Sequence, residues 1–380
     1  MTTEDAYVVI GGGIAGVSCA IALRRVFGKN VVLVSASKVL KTVRNVSARS
    51  KLIETFDVNE TDLESFEKSH PGIVVMRGLA EKIDAGKHLV YVLNEKGCRE
   101  VLRFKKLCVC TGASPLRVHP SCVTIRDTDS VKDLGRTLKD KVKRIAIIGN
   151  GAIAVELVQS LRESSLEIVW CIRDDFMCNT MLDVNASMFF MRKLDRVIRD
   201  KEEKNLDEII KRTVIGQEKC SNEVSGSGVG PHWRALFNSA ILGDDVKSRE
   251  KGVCTIRLET RVCVENIVSS KDDKKLVLLS NGHEHECDLV ISAIGVRPNI
   301  KLFQDLDVRC SEQGGVEVDV QMRIMSSKSS TSFDDVYAAG DVTCVNPELM
   351  LNDGDMSKWF QMRLWSQARL QGMYAARYGV

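Results

Sequence analysis

The chain has 380 residues, of which 44% are hydrophobic and 28% charged, with 27 glycines and 6 prolines. That length holds two or three domains with ordinary cores, and the composition excludes collagen-like and disordered chains. A net charge of +3 gives no argument for direct nucleic-acid binding, and no run reaches the roughly 18 apolar residues of a membrane span.

Met1 to Asp5 is polar and acidic, without the look of a targeting segment. An apolar strand is predicted over Tyr7 to Ile10, followed by the turn "GGGIAG". Gly11, Gly13 and Gly16 make G-x-G-x-x-G, and a helix over Val17 to Val26 and a strand over Val31 to Val34 follow. Strand, glycine turn, helix and strand at this spacing specify a dinucleotide-binding unit. The first glycine allows the tight turn, the second lets backbone approach a pyrophosphate, and the third lets helix and strand pack closely. The basic stretch "KVLKTVRNVSARSK", with five Lys or Arg in fourteen residues, reads as an exposed connection.

Further on, "HLVYVL", a turn at "NEKG" and "EVLRF" form a candidate hairpin ahead of an apolar strand, Leu107 to Cys110, which stops at Thr111 and Gly112. The plan then repeats. A strand over Arg144 to Ile148 enters "GNGAIAVE", whose Gly149 lies 138 residues after Gly11, with Gly151 and Ala154 in the other two positions. A helix and a strand, Glu167 to Ile172, come next. A second hairpin, "KLVLL" with a turn at "SNG", precedes the apolar strand Leu289 to Ile294, which stops at Gly295. Finally "FDDVYAAGDV" places a short strand, Val336 to Ala338, before Gly340 and Asp341. A carboxylate at that strand end faces the ligand crevice of such a sheet.

The expected fold is α/β, with two nested Rossmann-like dinucleotide-binding domains. The first, residues 1–125 and 300–380, is interrupted by the second, 126–299. A charged, then Ser/Gly-rich segment near 195–252 reads as an insertion in the second domain. The 13 cysteines are odd in number and many lie in apolar runs such as "KLCVC" and "IVWCI". They read as buried thiols in a reducing compartment, cytoplasm or nucleus. His283 and His285 flank Glu284, but a metal site needs a third ligand that the sequence does not locate, so none is assigned.

The pieces "VVIGGGIAG", "CVCTGASP", "IAIIGNGAIAVE", "ISAIGVRPN" and "VYAAGDV", in that order, resemble the pyridine nucleotide-disulfide oxidoreductases, flavoproteins with two dinucleotide-binding domains. The resemblance implies an FAD-dependent oxidoreductase with NADH or NADPH as donor. Gly11, Gly13, Ala15, Gly16, Ser35, Thr111, Gly112, Gly340 and Asp341 would then serve FAD, with Asp341 at the ribityl and phosphate region. Gly149, Gly151, Ala152, Ile153, Ala154, Glu156, Arg173 and Gly295 would serve the nicotinamide cofactor, with Glu156 near the nicotinamide and flavin. The stretches Ile168 to Asp175 and Trp359 to Arg369 resemble one subgroup in particular. That subgroup implies antioxidant protection of a tRNA ligase complex in cytoplasm and nucleus.

The sequence departs from the family pattern in three places. Ser35 stands where an acidic residue commonly binds the FAD ribose, so one charge-assisted contact is lost. Between Ser35 and Gly97 there is no cysteine, and the second domain has no C-x-x-C. Cys108 and Cys110 share one face of a strand, a poor geometry for a disulfide. Electrons are therefore expected to pass to an external acceptor, with no catalytic residue assigned. A slow-turnover FAD- and NAD(P)H-binding redox sensor is the alternative. The third departure is the insertion near 195–252, and the family's C-terminal dimerisation domain also reads as absent or truncated. Both Arg173, which favours the 2′-phosphate of NADPH, and Asp174, which favours NADH, follow the second strand of the second unit, and the reading leans to NADH or to use of either.

Overall fold

The computed structural model describes residues 6–48, 54–139, 142–161, 166–179, 182–199, 254–312, 314–329, 331–345, 361 and 363–379. They form two compact units: Met1–Ser114 with Arg297–Val380, and Pro115–Val296. The expected insertion near 195–252 lies outside the described residues beyond Arg199, as do Trp359 and Met362.

Unit one opens with β1 (Ala6–Ile10), α1 (Ile14–Arg25) and β2 (Val31–Ser35), in parallel register Tyr7↔Val31 to Ile10↔Val34. Val8, Val9 and Ile10 are buried, as a strand with covered faces requires. The basic stretch is not a connection. Val39–Ala48 is β3, paired antiparallel with β4 (Glu54–Asp62). Leu40 and Thr42 are buried while Lys41 and Val43 are only partly so, an alternation that the Lys and Arg residues obscured in the sequence. After α2 (Leu63–Ser69) come β5 (Ile73–Asp84), β6 (Leu89–Asn94) and β7 (Arg99–Val109). The expected hairpin is β6–β7, but β7 is one strand that also includes Leu107 to Val109. Its first half pairs with β6, and its buried last residues pair with β1. The chain leaves the unit through the short strand β8 (Ala113–Pro115).

Unit two contains α3 (Thr128–Lys139), β9 (Arg144–Ile148), α4 (Ala152–Leu161), β10 (Glu167–Cys171), α5 (Val184–Arg199) and β11 (Thr255–Glu259). A meander follows, made of β12 (Val264–Ser269), β13 (Lys275–Leu279) and β14 (Glu284–Cys287), and then β15 (Leu289–Ser292). A parallel sheet runs β11-β10-β9-β15, and the meander forms its own three-stranded sheet. The second unit begins earlier than the expected boundary at 125. Val123 bridges Ile291, and its N–H bonds the Val290 carbonyl at 2.9 Å. Residues 115–125 are thereby tied to the edge of this sheet.

After β16 (Val296–Pro298) the chain re-enters unit one with β17 (Val316–Val318), β18 (Arg323–Met325), β19 (Ser332–Ala338) and β20 (Thr343–Val345). β19 pairs parallel with β7, Val336↔Leu107 to Ala338↔Val109, in a nine-stranded sheet. The final helix, α6 (Trp365–Tyr378), lies on α1 through small residues. A Cβ on Gly372 would stand 2.1 Å from the Ala15 carbonyl oxygen, so only glycine allows this approach. Among the described residues, no helix is long and apolar enough to cross a membrane.

Candidate nucleotide-binding sites

In unit one the first glycine turn is fixed from three sides. Gly11 N–H donates to the Val34 carbonyl at 2.8 Å, and Cys110 N–H donates to the Ile10 carbonyl at 2.7 Å. Gly11 has φ +125°, and a Cβ there would lie 2.1 Å from the Cys110 carbonyl oxygen. A Cβ on Gly16 would lie 2.0 Å from the Gly11 carbonyl oxygen. A Cβ on Gly13, by contrast, meets no atom within 4 Å, so its backbone faces open space. Gly13 is also the N-cap of α1, with no side-chain cap and no acid in the first helical turn. Uncapped N–H groups, the positive helix end and an open glycine are the elements of a phosphate cradle.

Gly12, which the sequence motif leaves as a variable position, has its own constraint. A Cβ there would meet Ser35 Oγ at 2.3 Å and Leu40 Cδ2 at 2.7 Å. Ser35 is 1% exposed, and its Oγ accepts from Ser37 N–H at 3.2 Å and lies 3.3 Å from the Ser37 carbonyl. The hydroxyl expected to meet a ribose is thus engaged in its own local turn.

The far side of the same unit brings Gly340 and Asp341 to the start of α1. Gly340 has φ +83°, and a Cβ there would lie 2.7 Å from Ala15 Cβ. Its N–H donates to Gln371 Oε1 at 2.8 Å, and its carbonyl accepts from Thr343 Oγ1 at 2.8 Å. Burial pushes the Asp341 carboxyl above its ordinary pKa, and the charge of Arg363 partly offsets this. Arg363 Nε donates to the Asp341 carbonyl at 3.3 Å. Its Nη2 is buried without a hydrogen-bond partner among the described residues. A buried guanidinium nitrogen lacking an acceptor, next to an open helix N-terminus, fits an anionic, hydroxyl-bearing ligand such as FAD. Thr111 and Gly112 are clasped by Asn299. Thr111 Oγ1 donates to the Asn299 carbonyl, Asn299 Nδ2 donates to the Thr111 carbonyl, each at 2.9 Å, and Asn299 N–H donates to the Gly112 carbonyl.

Unit two rebuilds the turn. Gly149 N–H donates to the Cys171 carbonyl at 3.0 Å, and Ala293 N–H donates to the Ile148 carbonyl at 2.7 Å. Gly149 has φ +134°, and a Cβ there would lie 2.2 Å from the Ala293 carbonyl oxygen. Gly151 faces open space, and no acid lies in the first turn of α4. Ala152 is exposed, while Ile153 and Glu156 are half-buried on that helix. The buried indole of Trp170 donates from Nε1 to the Gly149 carbonyl at 2.8 Å. Asn150 Nδ2 donates to Asp174 Oδ2 at 2.8 Å and to the Phe176 carbonyl at 2.9 Å. Asp174 is therefore drawn to the glycine turn, whereas Arg173 is exposed. Gly295, at φ +105°, is exposed in the same unit, and its carbonyl accepts from Leu116 N–H.

Among the described residues the cysteines are free thiols. Cys108 Sγ and Cys110 Sγ are 3.7 Å apart, a hydrogen-bond distance and well beyond the roughly 2.05 Å of a disulfide. Hydrogen bonding to Cys108, then burial, pushes both Cys19 and Cys110 up. Burial pushes Cys171 up to about 12. Thiols held protonated in this way are poor nucleophiles.

A second polar cluster lies at the end of β11. Glu259 is buried, and its Oε1 accepts from Arg257 Nε at 2.9 Å. His285 Nε2 lies 3.0 Å from Oε1 and His283 Nδ1 lies 3.0 Å from Oε2. Burial holds His285 below its ordinary pKa. Glu259, the partner missing from the sequence reading of these histidines, comes 24 residues before His283, from another sheet.

Residues 5–225 and 246–372 match the pyridine nucleotide-disulphide oxidoreductase family. The chain is 35% identical to pyridine nucleotide-disulfide oxidoreductase domain-containing protein 1 of Rattus norvegicus and 34% identical to that of Homo sapiens. These alignments cover 98% and 99% of this chain and 76% of each relative, so the chain spans about three quarters of their length. Among solved structures, an NAD-dependent persulfide reductase from A. fulgidus superposes with TM-score 0.66 at 19% identity, over 98% of this chain and 58% of that one. The water-forming NADH oxidase from Lactobacillus brevis gives TM-score 0.66 at 17% identity, over 99% and 70%. At those identities the likeness is one of fold.

Proposed function

The chain belongs to the pyridine nucleotide-disulphide oxidoreductase family, whose oxidoreductases use FAD and NAD(P)H, and from that premise we propose an NADH-preferring oxidoreductase that delivers electrons to an external acceptor. The observation that carries this reading is the pair of glycine turns built on the same backbone plan, one in each unit.

In unit one, Gly11, Gly13 and the N-terminus of α1 would hold the FAD pyrophosphate, with Asp341 on hydroxyls and the Arg363 guanidinium on negative charge. In unit two, Gly149, Gly151 and α4 would hold the nicotinamide cofactor's pyrophosphate. Asp174, drawn to the turn by Asn150, would accept from a ribose 2′-hydroxyl and repel a 2′-phosphate, which favours NADH. Bound FAD supplies the hydride acceptor and the store of two electrons. The residues of this chain contribute binding and orientation.

The external acceptor follows from the thiols. Cys108 and Cys110 are buried as a thiol pair under the first glycine turn; hydrogen bonds with Cys110 and Cys19 pull the Cys108 thiol down to about 5 while Cys110 is pushed up, and it is their burial, at 6% exposure each, that keeps the pair from an incoming disulfide. Oxygen, a quinone, a small oxidant or a partner's disulfide would take that place. The 34–35% identity to the relatives above supports the subgroup, and the subgroup resemblance extends the proposal to protection of a tRNA ligase complex in cytoplasm and nucleus. Co-purification of this chain with ligase activity tests that extension.

The central test is spectroscopic. Purified protein, loaded with FAD and titrated without oxygen, should lose its visible flavin absorption with NADH at lower concentration than with NADPH. Protein that takes up FAD but keeps its absorption with either nucleotide would overturn the oxidoreductase reading and leave a binding protein.

A further inference from the structure

We propose that Glu259, His283 and His285 form a site for a divalent transition-metal ion of the zinc class, in the second unit and separate from its glycine turn. Their ligand atoms, one from each residue, all lie within 4.8 Å of one another. One carboxylate oxygen, Glu259 Oε1, lies 3.0 Å from His285 Nε2 and 3.3 Å from His283 Nδ1. A tetrahedral zinc about 2.0–2.1 Å from nitrogen and oxygen needs ligand atoms a little over 3 Å apart, so small side-chain rotations suffice. Two imidazoles with one carboxylate is a donor set suited to zinc, and it leaves the fourth position to water. His283 has a side chain 52% exposed, which gives the ion an entry path and the water its place.

The fold holds these ligands before any metal arrives. Glu259 ends β11, and its carbonyl accepts from Ile172 N–H at 2.8 Å. His285 lies on β14 opposite Val277 and is 2% exposed. His283 is fixed by its N–H on Asn281 Oδ1 at 3.0 Å. Outer contacts are present too, because Arg257 and Asn281 both donate to the Glu259 carboxylate. Outer partners of this kind orient a metal-bound carboxylate, although the Arg257 charge weakens the attraction for a cation. A bound ion would tie the last residue of the parallel sheet to the meander.

The experiment uses the full-length, FAD-loaded protein and zinc chloride. Wild type should bind one more equivalent of zinc than His283→Ala, and zinc should raise the melting temperature of wild type only. Zinc-edge X-ray absorption should show nitrogen and oxygen neighbours at about 2.0–2.1 Å for that equivalent. Affinity should fall by more than roughly 100-fold in His283→Ala, since loss of outer-shell partners alone costs about 10–100-fold. The exposed position of His283 keeps its variant folded. Equal zinc binding by wild type and His283→Ala, or a sulfur shell around the extra equivalent, would overturn the site.

Discussion

The two glycine turns share a backbone and differ in what surrounds it. Gly11 and Gly149 take nearly the same φ, +125° and +134°, against the carbonyl of Cys110 and of Ala293 respectively. Each N–H bonds the end of the neighbouring strand. The third position then diverges. Gly16 in unit one has its Cα against the Gly11 carbonyl, while unit two carries Ala154, fully buried, in that place. α1 is also pressed by α6 through Gly372, so it is packed tightly enough to require glycine twice. The acids differ as well: β2 ends in a self-bonded Ser35, whereas Asp174 beyond β10 is held at its turn. The shared features are those that any pyrophosphate needs. The divergent ones decide how the helix is packed, and in the proposed function they would set which ribose is read.

Substituting the first glycine of each turn breaks the comparison most strongly. Gly11→Ala forces a Cβ to about the position of a backbone carbonyl at a φ that alanine disfavours, and should cost more than ~3 kcal/mol with loss of FAD. Gly149→Ala meets an equal clash, but in the other unit. It should retain bound FAD and lose reduction by NADH. Flavin absorbance together with anaerobic NADH titration separates the two results. Loss of flavin from Gly149→Ala would show that the units are not independent binding sites.

Asp174 gives the next effect. Asp174→Ala should weaken NADH binding about tenfold, near 1.4 kcal/mol, and leave NADPH less affected. Nucleotide titrations of flavin reduction check it. An unchanged NADH-to-NADPH ratio would remove Asp174 from ribose recognition.

These differences mark how far the sequence could be read. The strands and both turns were legible because apolar runs bounded by glycine report local rules. β3 is hidden in the sequence because its buried residues, Leu40 and Thr42, sit among Lys38, Lys41 and Arg44, which look like a solvated loop. The single long β7 was split because its first half is exposed on alternate residues and its end is wholly buried. Asn299 on Thr111, Gln371 on Gly340 and Glu259 on His283 are contacts across 188, 31 and 24 residues, and no local pattern signals them. Trp170 carried a weak signal: a buried indole needs an acceptor, and the only question was which carbonyl.

Asp341 ranks third, because ligand and stability oppose each other there. Burial raises its folded pKa above the unfolded value. The associated stability is therefore full below the unfolded carboxyl's pKa and is lost as pH rises through the folded value. Asp341→Asn carries no charge to bury, so FAD-free protein should gain roughly 0.5–2 kcal/mol at neutral pH, with the gain vanishing in acid. FAD affinity should fall in the same variant. Melting curves at acid and neutral pH, with and without FAD, check both halves, and a pH-independent gain would discard the buried charge as its cause.

Cys108 should give the smallest effect. It sits between the Cys19 and Cys110 thiols, is 6% exposed, and would be the central member of any dithiol relay in unit one. Cys108→Ala removes one small buried group and should cost about 1 kcal/mol. If electrons leave directly for an external acceptor, NADH-driven reduction and reoxidation by oxygen should stay within about twofold of wild type. The same holds for Cys110→Ala, apart from its proximity to the Gly11 turn. Fast flavin reduction with reoxidation lost only in Cys108→Ala would place a thiol on the electron path. The likeness between the two glycine turns would then conceal a redox function belonging to unit one alone.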